Sequence, residues 1–202
     1  MVWYHGSPEM QKIERFENRT ITARYITDPD KWSKLQSKLS HASNSEFTVI
    51  SDQMNELTKY KTLRSPVFFS NKRSVATSYA DDRRAYDYQQ AEPGVISVTI
   101  DDGRTLTIEA HGESFRGINV NSVIRGLTAV GIDPSDIDDV MKMYQLDIRG
   151  NSNKISTDSL IKIVDSFEFD IIDVRGIKDN YNGGGPPSTI RMVMDPSLIH
   201  RL

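Results

Sequence analysis

The chain contains no cysteine. That absence removes disulfides, thiolate zinc sites and cysteine nucleophiles together, and it fits a reducing compartment. No apolar run approaches the ~18–20 residues that a membrane-spanning helix needs, so no membrane partner is expected. The opening MVWYHGSPEM has neither a basic n-region nor a long apolar h-region. No secretory signal is therefore read, and the cytoplasm is the expected location. A dominant charge sign is lacking too: 25 Lys and Arg stand against 28 Asp and Glu, a net charge of −3. A broad electrostatic grip on nucleic acid is not written into these totals, although a local basic patch is compatible with them. Internal repeats and low-complexity tracts are absent. What is there is ordinary for a soluble globular protein: 37% apolar and 26% charged residues over 202 positions. This suits one domain with room for a sizeable insertion.

Val2-Trp3-Tyr4 reads as a short opening strand. Ser7-Pro8-Glu9 is a helix-start signal, and the helix it opens would carry Met10, Ile13 and Phe16. Residues 18–65 are polar and mixed, and read as an inserted helical lobe. Asp28-Pro29-Asp30 caps one helix with Trp32, Leu35 and Leu39 on a face, and Ser51 to Tyr60 forms another. His41 to Ser45 is the loop between them. Val67-Phe68-Phe69 is a strand, and Asn71 to Ala80 a helix with Val75, Ala76 and Tyr79 at helical spacing. Val95 to Ile100 alternates like a half-buried strand, Asp102-Gly103 signals a hairpin, and Leu106-Thr107-Ile108 is the return strand. A second insertion over about 120–165 is helical: Val123 to Val130, Pro134 to Leu146 and Thr157 to Phe167. Phe169 to Val174 and Ile190 to Met194 are strands, with a glycine-rich loop at Gly183 to Pro187 before the last. The fold class is α+β, with mostly antiparallel short strands and inserted helices.

Three segments carry chemistry when taken together. Tyr4-His5-Gly6-Ser7 ends the first strand. Pro66-Val67-Phe68-Phe69-Ser70 forms a second strand, with Tyr79-Ala80 following on the next helix. Arg191 to Asp195 closes the sheet, then Pro196 to Ile199. In order and spacing they resemble the diphtheria-toxin-like and poly(ADP-ribose) polymerase-like ADP-ribosyltransferases, known by a His-Tyr-Glu signature over three strands. Thr105 to Gly112 and Phe169 to Asp179 look like the paired segments of such domains in phage polyvalent proteins. Residues 18–65 and 120–155 lie outside the resemblance. It implies an ADP-ribosyltransferase-like split antiparallel β-sheet core with inserted helices, spanning residues 1–202 as one domain.

The resemblance also implies a site. NAD joins a cationic nicotinamide ring to ribose, and aromatic faces hold such a ring by stacking and cation–π attraction. Phe68 and Tyr79 match the family's stacking positions. His5 matches the imidazole that bonds a ribose hydroxyl, Gly6 the close backbone approach to the carboxamide, and Ser7 a supporting polar contact. Tyr4, Phe69 and Ser70 complete the expected NAD-binding set, and His5, Tyr79 and Ile190 the catalytic one. Two positions depart from the signature. Phe68 stands where the family has tyrosine, losing one hydroxyl. Ile190 stands where it has the glutamate that holds ribose and stabilises an oxocarbenium-like transition state. Family members with isoleucine there resemble mono-ADP-ribosyltransferases, in which the acceptor's own carboxylate assists.

The expected function is transfer of a single ADP-ribose from NAD to a macromolecular acceptor, protein in preference to nucleic acid, with release of nicotinamide. No metal is required. The phage likeness implies an effector or toxin acting in a host cytoplasm. The alternative is a catalytically inactive domain of the same fold that binds NAD or ADP-ribose or serves as a protein-interaction module. An RNA 2′-phosphotransferase ranks last, because its second-histidine pattern is not evident. Asp147 to Leu160 has the outline of a calcium loop, but Arg149 occupies a ligand position, and the central glycine and terminal glutamate are missing. It reads as a polar linker. Glu168 reads as a helix-end residue, and Arg83, Arg84, Tyr86 and Tyr88 as a solvated loop.

Overall fold

The computed structural model describes residues 1–8, 13–81, 93–114, 117–146, 153–178 and 186–202. The chain opens with β1 (Trp3–Ser7), then a two-stranded ribbon, β2 (Arg19–Ile26) and β3 (Thr58–Ser65), enclosing helices α1 (Pro29–Leu39) and α2 (Asn44–Leu57). Strand β4 (Val67–Ser70), helix α3 (Arg73–Ala80), and strands β5 (Gly94–Ile100) and β6 (Thr105–Glu109) follow. Next come β7 (Ile118–Asn119), α4 (Val120–Ala129), α5 (Pro134–Met143), β8 (Lys154–Ile155) and α6 (Thr157–Ser166). Strands β9 (Ile171–Ile177), β10 (Ser188–Val193) and β11 (Ile199–Arg201) end the chain. Among the described residues no helix is long and apolar enough to cross a membrane.

Seven strands form one sheet in the order β11-β5-β1-β4-β10-β9-β6. All neighbours are antiparallel except β6 and β9. The architecture is thus α+β with a mostly antiparallel sheet. The sheet is weakest in its middle. β1 matches β5 along its whole length, Trp3 against Val98 through Ser7 against Gly94. Its register with β4 is the single pair Tyr4 and Ser70. The sheet also has to curl. β5 and β6 lie five strand spacings apart in that order, about 24 Å in a flat sheet. The chain between Ile100 and Thr105 can reach only about 17 Å. One face of the sheet holds an apolar cluster of Trp3, Val67, Phe69, Val98 and Val193. The other face carries the larger core, in which Leu106, Ile108, Ile172, Val174, Ile190 and Met192 pack under α4, α5 and α6.

Several local expectations meet a different outcome. Ser7 belongs to β1, and residues 13–18 form no helix; residues 9–12 lie outside the described set. The lobe at 18–65 is not purely helical. Its base is the β2–β3 ribbon, paired from Arg19 with Ser65 to Ile26 with Thr58. Alternation of Ile21, Ala23 and Tyr25 with threonines and arginines is the missed signal. Helix α1 does begin at the expected cap, where Asp28 accepts a bond from the Lys31 N–H at 2.9 Å. Helix α2 starts at Asn44 because Glu46 reaches back to the Ser43 N–H at 2.9 Å, and it ends at Leu57 where β3 takes over. Asp102-Gly103 makes no hairpin, because β5 pairs with β1 and β11 while β6 pairs with β9. Glu168 does hold the helix-end place expected of it, just past α6 in the left-handed region at φ 55°. Of the outlined calcium loop at Asp147 to Leu160, residues 147–152 lie outside the described residues, as do Arg83 to Tyr88 and Gly183 to Gly185, while β8 and the start of α6 fall in the rest.

Candidate functional site

A cavity of about 370 Å³ opens where the sheet is weakest, between α3 and the strands β1, β4 and β10. It is bordered by Tyr4, His5, Gly6, Phe68, Phe69, Ser70, Val75, Ala76, Tyr79 and Ile190. The sequence-derived set therefore comes together from three distant stretches of chain, with one exception. Ser7 closes β1 and is not among the residues bordering the cavity. Sequence reasoning misses Val75 and Ala76, whose helical spacing marks them only as core. Ala76 is one turn before Tyr79 and so shares its face, which is the signal that could have found it.

Strand alternation sorts the lining. Tyr4, Phe68, Ser70 and Ile190 share the face on which α3 packs, with Ser70 opposite both Tyr4 and Ile190. Ile190 is 3% exposed and belongs to the main core. Tyr79, on α3, is 38% exposed and forms the open side. His5 lies at the seam between β1 and β4. Its ring stands edge-on to Phe16 at 5.3 Å and tilted against Phe69 at 5.6 Å. Its Nδ1 lies 2.9 Å from the Phe68 carbonyl oxygen. A carbonyl only accepts, so the proton sits on Nδ1 and Nε2 carries the lone pair in the neutral ring. Burial pushes the His5 pKa below 6.5, outweighing the opposite pull of that hydrogen bond. The imidazole is thus held neutral, with Nε2 as an acceptor that has no partner among the described residues.

Gly6 has a role that the sequence does not disclose. A Cβ built there would lie 1.7 Å from the Ala76 carbonyl oxygen and 2.6 Å from its carbon. The missing side chain is what lets α3 rest on β1. The close backbone approach that glycine permits is used first by the protein itself.

Among the described residues, none that lines the cavity carries a carboxylate or a permanent charge. The nearest charged pair on the sheet is Arg191 with Asp173, joined by two bonds of 2.7 Å each. It stands across β9 and β10 on the opposite face from Ile190, since Arg191 follows it directly. The Arg191 guanidinium also lies 4.3 Å over the Trp3 ring. Among the described residues no three His, Cys, Asp or Glu side chains group as metal ligands. The described lining is chemically an uncharged aromatic slot, with the His5 Nε2 acceptor at its seam and hydroxyls on Tyr4, Ser70 and Tyr79. Its described residues can hold a flat ring and orient a hydroxyl; they offer no carboxylate nucleophile and no counter-charge.

Comparison with family models, curated proteins and solved structures gives no match.

Proposed function

We propose that the chain is a mono-ADP-ribosyltransferase whose cavity takes the nicotinamide end of NAD. The observation that carries this reading is the meeting of Tyr4-His5-Gly6, Phe68, Tyr79 and Ile190 around one cavity whose described lining is aromatic and uncharged. Phe68 and Tyr79 offer the faces for a cationic ring. His5 Nε2, held as an acceptor, suits a ribose hydroxyl donor. With isoleucine at position 190, the signature carboxylate does not stand by the developing oxocarbenium. The acceptor's own nucleophile then supplies the counter-charge, attacks the ribose carbon and releases nicotinamide. Such an acceptor is consumed once per event, so single adducts and weak NAD hydrolysis without acceptor follow. The phage likeness supports an effector acting on a host macromolecule.

The deciding experiment incubates the protein with adenine-labelled NAD and host lysate, followed by the mass of the modified species. One ADP-ribose per site is expected, and His5→Phe, which keeps the ring but loses both nitrogens, should abolish it. Ladders of many units would contradict mono-transfer. A second reading is favoured by Ile190 itself: a domain of the same fold that binds NAD without cleaving it. Saturable NAD binding in calorimetry, with neither adduct nor free nicotinamide, would select that reading.

A further inference from the structure

The β2–β3 ribbon is segregated in charge. Its strands, eight residues each, contain Arg19, Arg24, Lys59, Lys61 and Arg64 and no aspartate or glutamate. That is unexpected in a chain whose net charge is −3. Strand pairing places Thr20 opposite Arg64, Thr22 opposite Thr62 and Arg24 opposite Tyr60 on the outward face. All six are exposed, Tyr60 to 69%. The inward face is engaged: Ala23 and Leu63 are in the same core cluster as the cavity residues Val75 and Ile190. Lys61, also inward, is ion-paired with Asp165. A ribbon that needed only protection from edge pairing would gain from opposite charges across its strands. This one has none.

We infer that the outward face of the ribbon is a docking surface for single-stranded nucleic acid. The two outward arginines, Arg24 at 5.9 Å over the Trp32 ring and Arg64 within reach of the Asp195 charge, are forked phosphate donors about 14 Å apart from strand rise. The threonine hydroxyls between them add neutral donors, and Tyr60 is a platform on which a base can stack. A duplex fits less well. A ribbon enters a groove by projecting, whereas this one lies against the core and offers one face. The inference is independent of what the cavity holds. If the cavity transfers ADP-ribose, the ribbon brings a nucleic-acid acceptor to it, against the preference for protein that the sequence suggests.

The test is fluorescence anisotropy of the full chain with a labelled mixed-sequence single-stranded RNA and DNA, their duplexes, and polyglutamate, over a salt series without NAD. Saturable binding to single strands is expected, tighter than to duplex or polyglutamate. Arg24→Ala with Arg64→Ala should lower the slope of log affinity on log salt by about 1.4, because two phosphates are no longer neutralised. Tyr60→Ala should weaken binding roughly fivefold or more at unchanged slope. Lys61→Ala is the control and should leave binding unchanged. Thr22→Glu places a negative charge between the two arginines while leaving them and Tyr60 intact, and should weaken binding as well. Absence of binding at low salt, equal binding to polyglutamate, tighter binding to duplex, or indifference to the ribbon substitutions would each overturn the inference.

Discussion

At the scale of single residues, Gly6 and His5 carry the sharpest consequences. Gly6→Ala drives a methyl group into the Ala76 carbonyl, a backbone atom that cannot step aside as a side chain would. Overpacking of this kind costs about 1–3 kcal/mol, and the helix must lift from β1. Urea unfolding should show that loss. Under the proposed function, an accompanying loss of NAD binding would then report a displaced α3 and not a missing backbone contact. His5 makes stability depend on pH. Its pKa is depressed in the folded state, below 6.5, because burial disfavours the charged ring. The unfolded chain therefore binds the proton first as pH falls. Stability should be full above pH 6.5 and decline below it, by at most about 1.4 kcal/mol per pH unit, until the folded pKa is passed. Melting temperatures of wild type and His5→Phe between pH 7.5 and 5 test this, since the variant should lose that slope. Under the proposed function, Ile190→Glu places the carboxylate of the His-Tyr-Glu signature at a core position with 3% exposure. It should raise acceptor-free release of nicotinamide while lowering the melting temperature, the latter because an unpaired charge is being buried.

At the scale of elements, the Arg191–Asp173 pair joins β9 to β10 beside the site. The side chains are only 17% and 6% exposed. Arg191→Met would leave the Asp173 carboxylate buried without its partner, and a loss of about 3–5 kcal/mol is expected in chemical denaturation. Asp173→Asn with Arg191→Met should recover much of it. Helices α4, α5 and α6 are legible in the sequence because their signals are local, such as Leu160, Ile161 and Val164 at helical spacing; the structure adds Asp133 and Ser156 as caps of α5 and α6. The β2–β3 ribbon is not, because alternation there is between small apolar residues and threonines, and because its partner strand lies beyond two helices. The hairpin expected at Asp102-Gly103 fails for a related reason. Turn chemistry is local, whereas β6 finds its partner in β9, more than sixty residues on. The residues of the candidate site can be named from their order along the chain. Their sorting to two faces of the sheet, and the use of Gly6 by α3, depend on packing that no short motif encodes.

At the scale of the whole molecule, neither the proposed chemistry nor the side chains described call for a metal ion. EDTA should leave the melting temperature unchanged, and a large fall would point back to the segment at 147–152. The strand order has a different consequence. β10 lies between β4 and β9, and β4 is otherwise held to β1 by a single residue pair. A nascent chain leaving the ribosome has its first strand, α3 and β5 in hand long before Val193 is made. Until then the inner edges of β4 and β9 are open templates for mispairing. Ribosome-stalled chains ending at about residue 185 should therefore remain protease-sensitive and bound by chaperones. Chains stalled so that β10 has cleared the exit tunnel should become resistant in one step, with the slow kinetics of a sheet whose neighbours are distant in sequence.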